Sequence, residues 1–135
     1  MNEVLTAIYN RVVAEPHNNF YNAISGRYYS YEAPQNSTFP YAVAHTLPET
    51  YADWTFQADQ QFDEILIQFD LYSDTRSASE VGTVYNHLKA LFDWCSLTIS
   101  GYTHLFMKRE FAVRERLPEE GVWRYTVQYR VMVEY

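Results

Sequence analysis

Hydrophobic and polar positions change period along the chain, and the changes mark its elements. Leu5, Ile8 and Val12 share one face of a segment from about Asn2 to Glu15 that Pro16 stops, so the spacing predicts an amphipathic first helix. Residues 16–40 hold Pro16, Gly26, Pro34, Pro40 and the polar stretch Gln35-Asn36-Ser37; they read as loop, with at most a short strand at residues 27–31. Tyr41, Val43, His45 and Leu47 alternate with Ala42, Ala44 and Thr46. That is a strand whose second face is small enough to lie beneath a helix. Ile65, Ile67, Phe69 and Leu71 alternate with Glu64, Gln68 and Asp70, a period of two that buries one side and wets the other.

A second helix follows. Ser77 and Glu80 have the spacing of a capping box, in which hydroxyl and carboxylate each satisfy an unpaired amide at a helix start. Val81, Val84, Tyr85, Leu88, Leu91, Phe92 and Cys95 then recur at spacings of three and four, one stripe over a helix of about 19 residues. After Gly101, residues 102–114 read as a long strand with Leu105, Met107, Phe111 and Val113 on one side and His104, Lys108, Glu110 and Arg114 on the other. A turn at residues 117–121 leads into residues 122–135, where Trp123, Tyr125, Val127, Tyr129, Val131, Val133 and Tyr135 alternate with polar partners. The two strands should form an antiparallel hairpin. The whole pattern predicts an α+β fold of two layers, an antiparallel sheet with two main helices packed on one face, as a single domain over residues 1–135.

Composition narrows the function. Hydrophobic residues make up 47% and charged residues 20% of 135, ordinary globular usage. No apolar run approaches the roughly 20 residues of a bilayer span, and the first residues lack a signal-peptide pattern, so a soluble intracellular protein with no membrane partner is expected. The formal charge of −7 is lopsided: residues 1–75 carry ten acids against Arg11 and Arg27, residues 76–135 seven acids against eight bases. A net negative chain is repelled by phosphates, which argues against sequence-reading nucleic-acid binding. Thirteen tyrosines, three tryptophans and eight phenylalanines are many for one small core. Tyrosine suits surfaces that are wet before assembly and dry afterward, although a tyrosine-rich β core would have the same composition.

Candidate chemistry is sparse. His17, His45, His87 and His104 fall into no metal-ligand spacing, and one cysteine can form neither an intrachain disulfide nor a cysteine-built zinc site; no metal or cofactor is expected. Asp63, Glu64 and Asp70 invite an acid–base reading, yet Glu64 and Asp70 share the wet side of a strand, where solvation explains them. Ser25-Gly26 and Ser100-Gly101 lack the flanking glycine of a nucleophile elbow, and Cys95 lies within an apolar stripe. No catalytic residues are assigned, and the protein is not expected to be an enzyme.

Two features suit binding to other chains. Segment 49–60 sets Tyr51, Trp54 and Phe56 among polar residues between two strands, the composition of a binding hot spot or of a hairpin covering the core. Lys108, Arg109, Arg114 and Arg116 lie near Glu115, Glu119 and Glu120 at the end of the hairpin. In a ring of identical subunits, the acidic half of one copy could face the basic half of the next. An exposed charged hairpin tip accounts for the same residues.

The order of Gly26-Arg27-Tyr28-Tyr29, Ala33-Pro34-Gln35, Phe39-Pro40-Tyr41-Ala42-Val43 and the run from Ile65 to Ser73 entering a helix, closed by Gly121-Val122-Trp123-Arg124-Tyr125, resembles the tail completion or tail terminator family of tailed bacteriophages. Residues 16–25 depart from that pattern, being longer and richer in Asn. The resemblance covers almost the whole chain. It implies a structural, non-enzymatic protein of the virion tail, assembled in the host cytoplasm. Such a protein forms a homo-oligomeric ring, a hexamer, at the head-proximal end of the tail tube. Its partners would be the major tail tube protein and the head–tail connector protein, and DNA would pass through without sequence-specific binding. A rival reading is a small ligand- or carbohydrate-binding module whose aromatic surface stacks on sugar rings. A further rival is an unrecognised hydrolase resting on Asp63, Glu64 or His104.

Overall fold

The computed structural model describes residues 2–14, 18–35, 37–47, 62–75, 77–99, 101, 103–118 and 121–134. In chain order the elements are α1 (Asn2–Val13), α2 (Asn19–Ala23), β1 (Tyr28–Ser30), β2 (Tyr41–Thr46), β3 (Phe62–Ser73), α3 (Ser79–Phe92), β4 (Thr103–Leu117) and β5 (Val122–Glu134). The fold is mixed α and β, with one five-stranded sheet in the order β1-β2-β3-β5-β4. Segment 49–60, Pro16 and the turn residues Glu119 and Glu120 lie outside the described residues. Among the described residues no helix is long and apolar enough to cross a membrane.

The alternating patterns set the register. Ile65, Ile67, Phe69 and Leu71 of β3 stand opposite Val131, Tyr129, Val127 and Tyr125 of β5, so the odd positions of both strands share a face. All eight but Tyr125 are fully buried. The small side of β2 behaves as its pattern predicts: Ala42 and Ala44 pair with Leu71 and Phe69 and are fully buried in the same core cluster as Val4 and Ile8 of α1. The stripe of α3 joins them through Val81, Val84, Leu88, Leu91 and Phe92.

Several expectations need correction. The sheet is not wholly antiparallel, because β1 runs parallel to β2, with Tyr28 opposite Ala42. Arg27 secures this edge by donating from Nε to the Pro40 carbonyl (2.9 Å) and from Nη2 to the Phe39 carbonyl (3.0 Å). Residues 16–40 also contain the short helix α2, which leads into a left-handed turn at Ser25 and Gly26. Gly26 has φ +75°, and a Cβ there would sit 3.2 Å from the Tyr21 hydroxyl, so only glycine fits without displacement.

The ends of α3 differ as well. Ser77 is not its cap: Ala78 holds that position with no side-chain bond, and the Ser77 hydroxyl accepts from the Ser79 amide (3.1 Å). Glu80 reaches back to β3 instead, accepting from the Ser73 hydroxyl at 2.7 Å. The helix stops at Phe92, and Trp94, with φ +54°, turns the chain, so Cys95 is buried beyond the helix rather than in its stripe. Arg11 of α1 binds this end, its Nε donating to the Leu91 carbonyl at 2.9 Å. A cation near a helix C-terminus also opposes the partial negative charge of its unpaired carbonyls.

Candidate functional site

The long strand β4 carries the basic residues singled out above, and two irregularities decide where each points. Against β5 the register slips between His104 and Phe106 and again between Arg109 and Phe111. Each slip inserts one residue and exchanges the faces beyond it. Met107 and Arg109 therefore share the core side, opposite Val131 and Tyr129, whereas Phe111 and Val113 stand opposite Gln128 and Thr126 on the other side. The expectation that Met107, Phe111 and Val113 point one way fails here. Met107 is fully buried, and Phe111 and Val113 are 48% and 42% exposed.

Arg109 belongs to a polar cluster between β4, β5 and the end of α3. Its guanidinium donates to the Tyr85 hydroxyl and lies 3.6 Å from an Asp93 carboxylate oxygen. Tyr129, fully buried, donates its phenol to the other Asp93 oxygen at 2.6 Å. Burial, and then this bond, push the Tyr129 phenol far above its ordinary pKa. Tyr85 stacks on Tyr125 with centroids 4.1 Å apart, and Lys89 Nζ lies 5.3 Å from the Tyr85 ring centre. These groups join the helix to the sheet.

Lys108, Arg114 and Arg116 are exposed. Arg114 and Arg116 each hold a guanidinium 5.3 Å from the centre of the Trp123 ring, a cation–π arrangement that fixes both charges on one strand end. Glu115 pairs with Arg124, and Glu110 with Arg130 at 3.0 Å. Tyr51, Trp54, Phe56, Glu119 and Glu120 lie outside the described residues. The pattern missed Trp94, which is 69% exposed with its ring 6.2 Å from Phe106. Its one sequence signal is an aromatic out of phase with the α3 stripe.

Among the described residues, the outer edge of β4 is covered over its first half and bare over its second. The Trp94 amide donates to the Met107 carbonyl (3.0 Å), and the Leu97 amide donates to Nδ1 of His104 (3.2 Å). Among the described residues no backbone hydrogen bond reaches that edge beyond Met107. His104 is thus held as a neutral acceptor, and burial lowers its pKa below 6.5. The unfolded chain takes up a proton here that the folded chain refuses, so this contribution is complete above about pH 6.5 and is lost on acidification toward the folded value. The melting midpoint should fall between about pH 7.5 and about pH 5, and less steeply in His104→Gln; equal slopes would remove His104 from this role.

Among the described residues no group of three His, Cys, Asp or Glu side chains could hold a metal. Cys95 is buried with its sulfur 3.6 Å from that of Met107, and burial raises its thiol pKa, which disfavours the reactive thiolate.

In overall shape the chain is similar to one in a solved structure described as "Virion of native gene transfer agent (GTA) particle", with a TM-score of 0.77, 14% identity, and coverage of 96% of this chain and 93% of the other. A search of curated proteins finds no match. The family model described as "Tail completion protein gp17" matches residues 6–134, nearly the whole length, and the chain accordingly belongs to this bacteriophage tail completion family of structural virion proteins.

Proposed function

We propose that the chain forms a ring of six copies at the head-proximal end of the tail tube, where it ends tube polymerisation and receives the head–tail connector. Membership of the tail completion family supports a tail role, and the similar fold in a gene transfer agent virion agrees with it. The observation that carries the ring is the outer half of β4, a sheet edge that is bare among the described residues and bears exposed Phe111 and Val113. Such an edge is an aggregation hazard unless another chain covers it.

In this reading the fold is two-layered, with α1 and α3 on the face that carries Ile67 and Tyr129, which leaves the opposite face and the edges for partners. Tyr51, Trp54 and Phe56 supply further contacts to neighbours, as do Glu119 and Glu120. DNA passes the ring unread, in keeping with a net charge of −7. The protein acts by association, without catalysis or cofactor. The carbohydrate-module alternative has less support, because Tyr41 stacks on Tyr72 and Tyr85 on Tyr125, which occupies ring faces a sugar would need.

Light scattering of the purified chain, alone and with tube protein, should give the mass of six copies. Particles assembled without this gene product should have tails of irregular length that fail to join filled heads. Tails of normal length attached to heads would end this reading.

A further inference from the structure

We infer that neighbouring copies join head to tail, the outer half of β4 of one copy lying against β1 and the exposed stripe of α1 of the next. The inference rests on the ring reading and specifies its contact. Sheet order makes β1 and β4 the two opposite edges. Since β1 is parallel to β2, and each step from β2 through β3 and β5 to β4 is antiparallel, β1 and β4 run in opposite directions. A second copy rotated about an axis along the strands, without being turned over, thus presents its β1 antiparallel to the bare half of β4. Such a contact joins unlike surfaces, and repeated with a closing rotation it makes a ring.

The two edges are complementary in shape and charge. Beside β1 lies a groove of about 330 Å³ lined by Leu5, Thr6, Tyr9, Ser30 and Tyr31. Tyr9 and Tyr31 are 45% and 58% exposed, an aromatic rim on the sheet face that Arg114 and Arg116 share through their register with Tyr125 and Trp123, with room for an incoming guanidinium over a ring. Glu3 is exposed one helical turn before Thr6, and exposed Glu32 follows Tyr31, so this edge is acidic. The β4 edge offers exposed Lys108, Arg114 and Arg116. Because β1 has only three residues, an intermolecular ladder would be short, and surface ion pairs contribute at most about 1 kcal/mol each. Contact of the Arg114 and Arg116 side chains with the tyrosine rings of the groove must supply most of the affinity, while Glu3 and Glu32 select the partner edge and its orientation.

Charge reversal on each edge separately tests this. Arg114→Glu/Arg116→Glu makes both edges of a copy acidic, and Glu3→Lys/Glu32→Lys makes both basic; every altered side chain is exposed, so far-ultraviolet dichroism should be unchanged. By light scattering, under conditions in which the wild type has ring mass, each variant alone should have monomer mass. A one-to-one mixture should regain ring mass, because alternating copies restore every junction. Ring mass for either variant alone, or monomer mass for the mixture, would overturn the edge assignment and leave the ring standing. Monomer mass for the wild type, with and without tube protein, would overturn the ring itself.

Discussion

Replacing Phe69 by alanine should lower the folding free energy by about 3–5 kcal/mol, read as a lower urea midpoint at unchanged slope. Phe69 is fully buried near the middle of β3, stacks on Phe92 at 5.1 Å and meets Tyr129 edge-on at 5.9 Å. It therefore links the sheet to α3 where neither can close over a cavity without moving the other. Domains of this size have about 5–15 kcal/mol in total, so the variant should be folded only marginally at 37 °C. Trp94→Ala is the comparison: a larger side chain, but 69% exposed, whose loss should change stability by no more than about 0.5 kcal/mol. Equal effects of the two substitutions would contradict the placement of the core.

The second large effect concerns Asp93. Two interactions converge on its carboxylate, and they are unequal. The ion pair to Arg109 is long, at 3.6 Å, with side chains 33% and 29% exposed, so solvent screens it. The Tyr129 hydroxyl is buried and has its bond at 2.6 Å, so the phenol dominates. Asp93→Ala should cost about 1–3 kcal/mol because it orphans a buried donor. Adding Tyr129→Phe removes the orphan, and the double variant should be more stable than the sum of the two single losses predicts, by at least about 0.5 kcal/mol. Strict additivity would show that this bond contributes nothing.

How much of this was legible depended on whether a feature changes the pattern of residue types. The strands at β3 and β5 were readable because their two sides meet different surroundings, and Ala42 and Ala44 foretold a helix passing over β2. Ser77 and Glu80 have the spacing of a helix cap, while the bond that Glu80 makes instead, accepted from the Ser73 hydroxyl, joins two elements and leaves no local mark. The end of α3 was hidden because Cys95 is apolar and buried on either path; only the left-handed turn at Trp94 separates them. The parallel pairing of β1 depends on three residues and on the hold of Arg27 on two carbonyls thirteen or fewer positions away. At the candidate site the basic residues were visible as a group, but their division was not. Arg109 is joined to Asp93 and Tyr85, whereas Arg114 and Arg116 stay at the surface over Trp123; the slip at Glu110, one residue without distinctive composition, leaves all three on one face, and position along the strand separates them.

That slip has an evolutionary corollary. Up to Arg109 the strand answers to its own interior, where a lost methyl group is felt at once. Past it, Phe111 to Arg116 are mostly solvated and nearly neutral for folding. The same strand can thus hold one half of its sequence constant while the other half drifts to follow a changing neighbour, and new assembly specificities can arise without a toll on the fold.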